Sequence, residues 1–267
     1  MRFGLVGETG SATDVFGYVR YVQPDTSAER ENVERGMIFN AVDGVRLTRD
    51  NVSSLLTQNN YVIELASLNS GVSTSNGIEI TLTKEVVQQD PILVTEVIDQ
   101  GTQKIGYLMY TGFLSQFDEQ LNGVFGDFKA QGVTHLVLDL RYNGGGSVNT
   151  AIILGSLISG NPVSDVYSTE EWNPDVQTQL QTSNPTQLTN LFKNETNSGT
   201  VLHTLDLNKV HIITTGNSAS ASELVINSLD PYINVVQVGG DTAGKFQASV
   251  TLYDSADFRR SAANPSH

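Results

Sequence analysis

The hydrophobic pattern changes character about a third of the way along the chain. Up to about residue 85, short runs alternate between apolar and polar positions. Residues 16–22 alternate as a half-buried strand does, and 37–42, 61–68 and 77–84 give further strands. Between them lie punctuation signals. Pro24-Asp25-Thr26-Ser27 makes a turn into a short helix over 28–33, which Gly36 closes, and Asp43-Gly44 is a hairpin signal. Residues 48–58 place Val52, Leu55 and Leu56 on one helical face. Residues 1–85 therefore predict a small, mainly β unit.

Residues 86–101 read as a linker that includes a strand over 92–98, and from Lys104 the pattern becomes α/β. A strand over 105–110 leads to an amphipathic helix over 115–131, with Phe117, Leu121, Val124, Phe125 and Phe128 apolar and Gly132 at its end. Residues 134–140 form a continuous apolar strand, the pattern expected where helices cover both faces of a sheet. A helix over 148–159, a strand over 210–215, a helix over 224–229 and strands over 233–238 and 248–253 complete an α/β unit spanning 102–267. Residues 160–209 interrupt it. They are polar, carry Trp172, the chain's single tryptophan, and predict an insertion with one short helix over 186–194.

Composition narrows the function classes. The 267 residues carry a net charge of −14, which argues against a nucleic-acid partner; the acidic residues are spread along the chain and read as solubility. No run of about 18 apolar residues predicts a membrane span. The absence of cysteine removes disulfides, thiolate catalysis and Cys-ligated zinc. His135, His203, His211 and His267 form no i, i+4 pair, so a metal site and a His-based triad lack support, and no cofactor is expected. The N-terminus shows no signal-peptide pattern. Both ends read as trimmed from a longer protein.

Two stretches carry candidate chemistry. Asp139-Leu140-Arg141-Tyr142-Asn143-Gly144-Gly145-Gly146 is a strand that runs through a glycine turn into a helix, where backbone amides can face an anion. No Lys-Ser/Thr pair follows the glycines, so it is not a nucleotide-binding P-loop. Consecutive glycines let a substrate backbone come close, although a tight packing turn would also use them. The second stretch, Asn217-Ser218-Ala219-Ser220-Ala221-Ser222-Glu223, opens an apolar helix that Ser218 or Ser220 could cap. Lys245 follows Ser220 by 25 positions, in Thr242-Ala243-Gly244-Lys245. A serine at a helix start with a lysine returned to it is the raw material of a Ser-Lys nucleophilic site.

These two stretches with Gly244-Lys245, in this order and at this interval, resemble the core of the C-terminal processing (tail-specific) serine peptidases. The segments 22–29, 33–38 and 41–44 resemble the PDZ domains that accompany bacterial proteases. The resemblance implies an α/β core of crotonase-like ββα topology behind a PDZ-like domain over 1–85. It implies Ser220 as nucleophile, Lys245 as general base and Glu223 as an active-site carboxylate. A lysine takes a proton only when neutral, and the neighbours Ala243, Gly244, Phe246 and Ala248 suit desolvation. The free amide of Ala221 would form one half of an oxyanion hole, with Gly145 or Gly146 giving the other. Glu223 could equally orient the site, favour the helix dipole or hold Lys245 charged. Many family members carry a glutamine four residues after the lysine, as a third member; here that residue is Ser249, and Gln247 is the nearest substitute. The carboxylate loop of the PDZ-like unit would map to Phe3-Gly4-Leu5, which would hold a peptide C-terminus. The partner implied is a polypeptide substrate, and the setting is periplasm or cell envelope. A catalytically inactive peptide-binding protein on the same scaffold is the alternative. An acyl-transfer enzyme of crotonase type, using backbone amides without Ser220, is disfavoured by the Ser-Lys pair.

Overall fold

The alternating runs of the first third close into an antiparallel sheet. In the computed structural model, which describes residues 1–249, the chain divides into two units, Met1–Asp90 and Pro91–His267. The first unit holds β1 (Arg2–Gly7), β2 (Val15–Tyr21), α1 (Ser27–Arg30), β3 (Ile38–Val42), β4 (Val45–Arg46), α2 (Val52–Thr57), β5 (Asn60–Asn69) and β6 (Val72–Thr83). The sheet order is β1-β2-β3-β5-β6, with β4 paired to β3. Val19, Phe39, Val42, Leu47, Ile63 and Leu82 form its core. At the predicted hairpin, Asp43 and Gly44 both have positive φ, 51° and 73°, which matches the right-handed twist of the flanking strands. Phe3-Gly4-Leu5 lies inside β1, an edge strand, rather than in a loop. The apolar residues there pair with Val19, Tyr18 and Gly17 of β2.

The second unit contains β7 (Ile92–Asp99), β8 (Lys104–Tyr110), α3 (Asp118–Ala130), β9 (His135–Asp139), α4 (Val148–Ser159), β10 (Val166–Thr169), α5 (Pro174–Ser183), β11 (Thr189–Leu191), β12 (Lys209–Thr214), α6 (Ala221–Leu229) and β13 (Asn234–Gly239). Its main sheet runs β13-β12-β9-β8-β7 and is parallel except for β7, which is antiparallel to β8. Part of the segment read as a linker is thus an edge strand of this sheet. Leu108, Tyr110, Leu136, Leu138, Val210 and Ile212, alternate residues of three strands, pack in one cluster with the buried faces of α3, α4 and α6. On the other face Tyr107, Val137, His211 and Ile213 are only half-buried, although Met109 is buried, and none of them belongs to that cluster. Among the described residues the helices therefore cover one face of the sheet, where the continuous apolar strand had predicted two.

The insertion also differs from expectation. It forms a β10–β11 pair and the ten-residue α5, while 186–194 holds a 3-10 turn (Pro185–Leu188) and β11 instead of a helix. Helix α5 has start signals, Asn173 accepting from Val176 N–H at 3.1 Å and Pro174 in its first turn, but no buried residue, so it lacks the periodicity that betrays a helix. The end of the insertion is held by hydrogen bonds to the helices. Lys193 N–H donates to Ser156 Oγ at 2.9 Å, and Asn122 of α3 accepts from His203 N–H at 2.8 Å while donating to Val201 C=O at 3.0 Å. No helix among the described residues is long and apolar enough to cross a membrane.

Helix α4 is buried from Thr150 to Ile158, and Gly155 lets the β10 tyrosine approach it. A Cβ there would stand 2.4 Å from the ring of Tyr167. That ring is fixed by its hydroxyl, which donates to Ala151 C=O at 2.8 Å, and by an edge contact with Phe192. Alanine would gain about 1 kcal/mol of helix propensity, but an overpacked core costs about 1–3 kcal/mol. With the ring unable to yield, overpacking wins. Gly155→Ala is expected to lower the chemical-denaturation midpoint, and an unchanged or raised midpoint would show that Tyr167 relaxes freely.

Candidate active site

Parallel strands β9 and β12 are neighbours, so the turns that follow them leave the same edge of the sheet, the edge at which open α/β sheets form sites. Side chains sew these turns together. Thr215 Oγ1 donates to Arg141 C=O at 2.6 Å and Ser218 Oγ to Leu140 C=O at 2.7 Å. Asn143 C=O accepts from Ala219 N–H at 3.1 Å and from Ser222 Oγ at 2.9 Å. Asp139, 1% exposed, anchors the first turn: it pairs with Arg141 Nη2 at 2.7 Å and accepts from Tyr107 OH at 2.7 Å.

The serine-rich stretch thus separates by role. Ser218 and Ser222 are fully buried and make the inter-turn bonds above. Ser220 is half-exposed and immediately precedes α6. Its backbone has φ 57° and ψ −112°, a conformation that L residues rarely adopt and that persists only where the surroundings enforce it. Ser220 and Glu223 are arranged as a capping box, so the helix-cap reading is present alongside the chemical one.

Glu223 does more than cap. Its Oε2 accepts from Ser220 N–H at 2.7 Å and from Lys245 N–H at 3.0 Å, and its Oε1 accepts from Gly244 N–H at 2.6 Å. Burial pushes this carboxyl up, but the Thr242 hydroxyl and the three backbone N–H groups outweigh it and hold the acid below the usual glutamate value. One carboxylate therefore ties the main chains of Ser220 and Lys245 to the same atom. Ala243 N–H donates to Ser218 C=O at 2.9 Å and adds a second tie. The Lys245 side chain is exposed, and among the described residues no hydrogen bond joins its Nζ to Ser220. Gln247 is also exposed. Residues 241–249 form no regular element, so the strand argument for Gln247 does not apply, and the strand expected over 248–253 lies mostly outside the described residues.

Two of the three glycines are sterically required. Gly145 has φ 104°, and a Cβ on it would stand 2.8 Å from Ser220 Cβ and 3.0 Å from Ala221 N. Gly146 has φ 143°, and its Cβ would lie 2.2 Å from Phe113 C=O. Gly144 has open space around it. The glycine turn thus lies against Ser220 and Ala221, the pair named from the sequence. Gly145 N–H donates to Asn143 Oδ1 at 2.9 Å. Sequence reasoning overlooked Asn143; the available signal was an Asn two residues before a strained glycine, the pattern of an Asx-turn. Among the described residues no three His, Asp or Glu side chains gather as a metal site would require.

In the first unit, the residues mapped to peptide binding divide. Phe3 lines a cavity of about 300 Å³ together with Arg2, Ala28, Leu56, Tyr61 and Leu82. Gly4 lies against the Tyr18 ring, 2.5 Å from where its Cβ would be, and Leu5 is 44% exposed on β1.

The chain is similar to known proteins over much of its length. Over 194 residues the chain is 29% identical to the "C-terminal processing peptidase, chloroplastic" of Tetradesmus obliquus, covering 64% of this chain and 41% of that protein. A "Probable CtpA-like serine protease" of Staphylococcus epidermidis is 26% identical over 161 residues, covering 60% of this chain and 29% of that protein. The chain thus spans about two fifths or less of these curated relatives. A solved structure described as a "Putative S41 protease" from Bacteroides fragilis superposes with a TM-score of 0.75 at 26% identity, covering 96% of this chain and 67% of the other. The model of Peptidase family S41 matches residues 104–259, which include the glycine turn, Ser220, Glu223 and Lys245, and the chain belongs to that family.

Proposed function

We propose that this chain is part of a serine endopeptidase that hydrolyses peptide bonds with Ser220 as nucleophile and Lys245 as general base. The observation that carries the reading is the shared carboxylate, since Glu223 Oε2 bonds the main chains of both residues. Ser220 Oγ attacks the scissile carbonyl carbon while neutral Lys245 Nζ takes its proton. The carbonyl oxygen becomes an oxyanion facing Ala221 N–H and the glycine turn. The intermediate collapses as Lys245 returns the proton to the leaving amine. Water then attacks the acyl-Ser220 ester with Lys245 again as base. Lys245 is exposed in the free chain.

The first unit fits a PDZ-like role. Edge strand β1 can take a peptide as an added strand, and the cavity beside Phe3 and Leu56 can receive its terminal side chain. Such a module would present polypeptide C-termini to an exported, envelope-side peptidase. The exposed Lys245, with Ser249 where a glutamine would stand, favours the competing reading of an inactive peptide-binding scaffold.

Three measurements test the proposal. Ser220→Ala and Lys245→Ala in the full-length protein are each expected to abolish cleavage of an unfolded polypeptide, and wild-type turnover from either would sink the dyad. A fluorophosphonate is expected to label wild-type Ser220, whereas peptide binding without labelling would establish the inactive scaffold. Glu223→Gln keeps the shape but loses the charge that holds three N–H groups, and charge-assisted bonds to such groups contribute about 1.5–3 kcal/mol each. Because the folded carboxyl lies below its unfolded value, its stabilisation is fully present above the unfolded value and is lost as pH falls through the folded one. The stability gap between wild type and Glu223→Gln should therefore be constant near neutrality and close in acid. A pH-independent gap would remove the ionised carboxylate from the argument.

A further inference from the structure

We infer that Asn76-Gly77 is a self-modification site, at which the folded first unit converts Asn76 into aspartate and isoaspartate through a cyclic imide. The chain has three Asn-Gly pairs, at 76–77, 122–123 and 143–144. In such a pair the glycine nitrogen can attack the side-chain amide carbon of the asparagine, because no Cβ hinders the approach. The surroundings of the three pairs differ.

Asn76 lies in a bulge of the edge strand β6. Glu64 of β5 pairs with Glu79 and Ala66 with Ser75, so residues 76–78 stand opposite Leu65 alone. All three are exposed, and Gly77 has φ 76° with open space around it. Ile78 N–H donates to Asn76 Oδ1 at 3.1 Å. That bond folds the side chain back over the Gly77 nitrogen and stabilises negative charge on Oδ1. The proton on this nitrogen has a route away. Gly77 N–H donates to Ser75 Oγ at 3.2 Å, and the Ser75 hydroxyl in turn donates to the Glu64 carboxylate. Nucleophile, electrophile, oxyanion donor and general base thus meet in Ser75–Ile78 and Glu64. Among the described residues no bond holds Asn76 Nδ2, the leaving group.

The other two pairs are locked. Asn122 and Asn143 are buried, and each Nδ2 is tied to a main-chain carbonyl, Val201 C=O at 3.0 Å and Tyr110 C=O at 3.0 Å. Gly123 lies inside α3, which commits its N–H to the helix.

The reaction needs only water. Gly77 N bonds to Asn76 Cγ as its proton passes through Ser75 Oγ towards Glu64. The Cγ–Nδ2 bond then breaks, and Nδ2 takes up that proton and leaves as ammonia. Water opens the imide. Attack at Cγ gives aspartate, and attack at the main-chain carbonyl of residue 76 gives isoaspartate, whose chain runs through Cγ. Either product adds a negative charge to the β6 edge, which opposes pairing with another strand. The extra methylene of isoaspartate falls where no ladder pair is broken.

The test follows all three sites by peptide mapping of the full-length protein, held at mildly alkaline pH either native or in urea. Conversion at residue 76 is expected to be faster in the native protein than in urea, whereas residues 122 and 143 convert only in urea. Ser75→Ala and Glu64→Gln are each expected to slow native conversion at residue 76 by about 10², the low end of what a positioned general base contributes, and to leave the rate in urea unchanged. Native conversion at residue 76 no faster than in urea, or a wild-type native rate in either folded variant, overturns the inference. Should a variant not fold, the comparison of native with urea-unfolded wild type decides.

Discussion

The Glu223 carboxylate is the constraint on which the candidate site depends. It sits in the first turn of α6, where an acid is favoured by the unpaired N–H groups and the helix dipole. There it accepts one N–H from the residue before the helix and two from a segment 21 and 22 positions away. A neutral side chain of the same length could accept some of these bonds, but only the ionised acid accepts on both oxygens without presenting a donor. The sequence left open whether Glu223 orients the site, serves the dipole or holds Lys245 charged. Its bonds go to main-chain N–H groups, and it acts on the lysine's position through Lys245 N–H.

The way the donors are distributed around Ser220 follows from this. Most backbone N–H groups of the two turns and the lysine segment have an assigned acceptor. Ser220, Gly244 and Lys245 donate to Glu223; Gly145 donates to Asn143 Oδ1; Ala219 donates to Asn143 C=O. Buried polar groups without partners are costly, so this near-complete pairing is what a folded turn requires. It also selects, because the few amides that remain available are those that a developing negative charge can recruit. The same acceptors that stabilise the turns thereby keep those donors from turning toward Ser220.

Much of this was legible in the residues. Strand–turn–helix order indicated where β9, β12, α4 and α6 would lie, and the resemblance to the C-terminal processing peptidases implied that Ser220, Glu223 and Lys245 come together. What escaped were features without a periodic signal. Helix α5 buries nothing, so its Gln and Thr residues showed no stripe. The run at 134–140 is apolar throughout, and that pattern cannot reveal that Val137 is only half-buried while Leu136 and Leu138 are fully buried. Phe3-Gly4-Leu5 was mapped to a loop by resemblance to PDZ domains, whereas Gly4 is required beneath Tyr18 inside a paired strand.

The hardest features to read were the roles of residues that act through their main chains or on other main chains. Ser218 and Ser222 are chemically identical to Ser220, and only the backbone separates them. The two buried hydroxyls each take a carbonyl of the opposite turn, and this fastening forces the intervening residue into its left-handed conformation. A strained φ at Ser220 is therefore a consequence of bonds made by its neighbours, two residues away on either side. The same reasoning explains the glycine turn: Gly145 must lack a Cβ because Ser220 and Ala221 are already pulled against it by Asn143. Ser220 differs from its neighbours because their hydroxyls are buried and bonded to carbonyls of the opposite turn, whereas it is only half-buried.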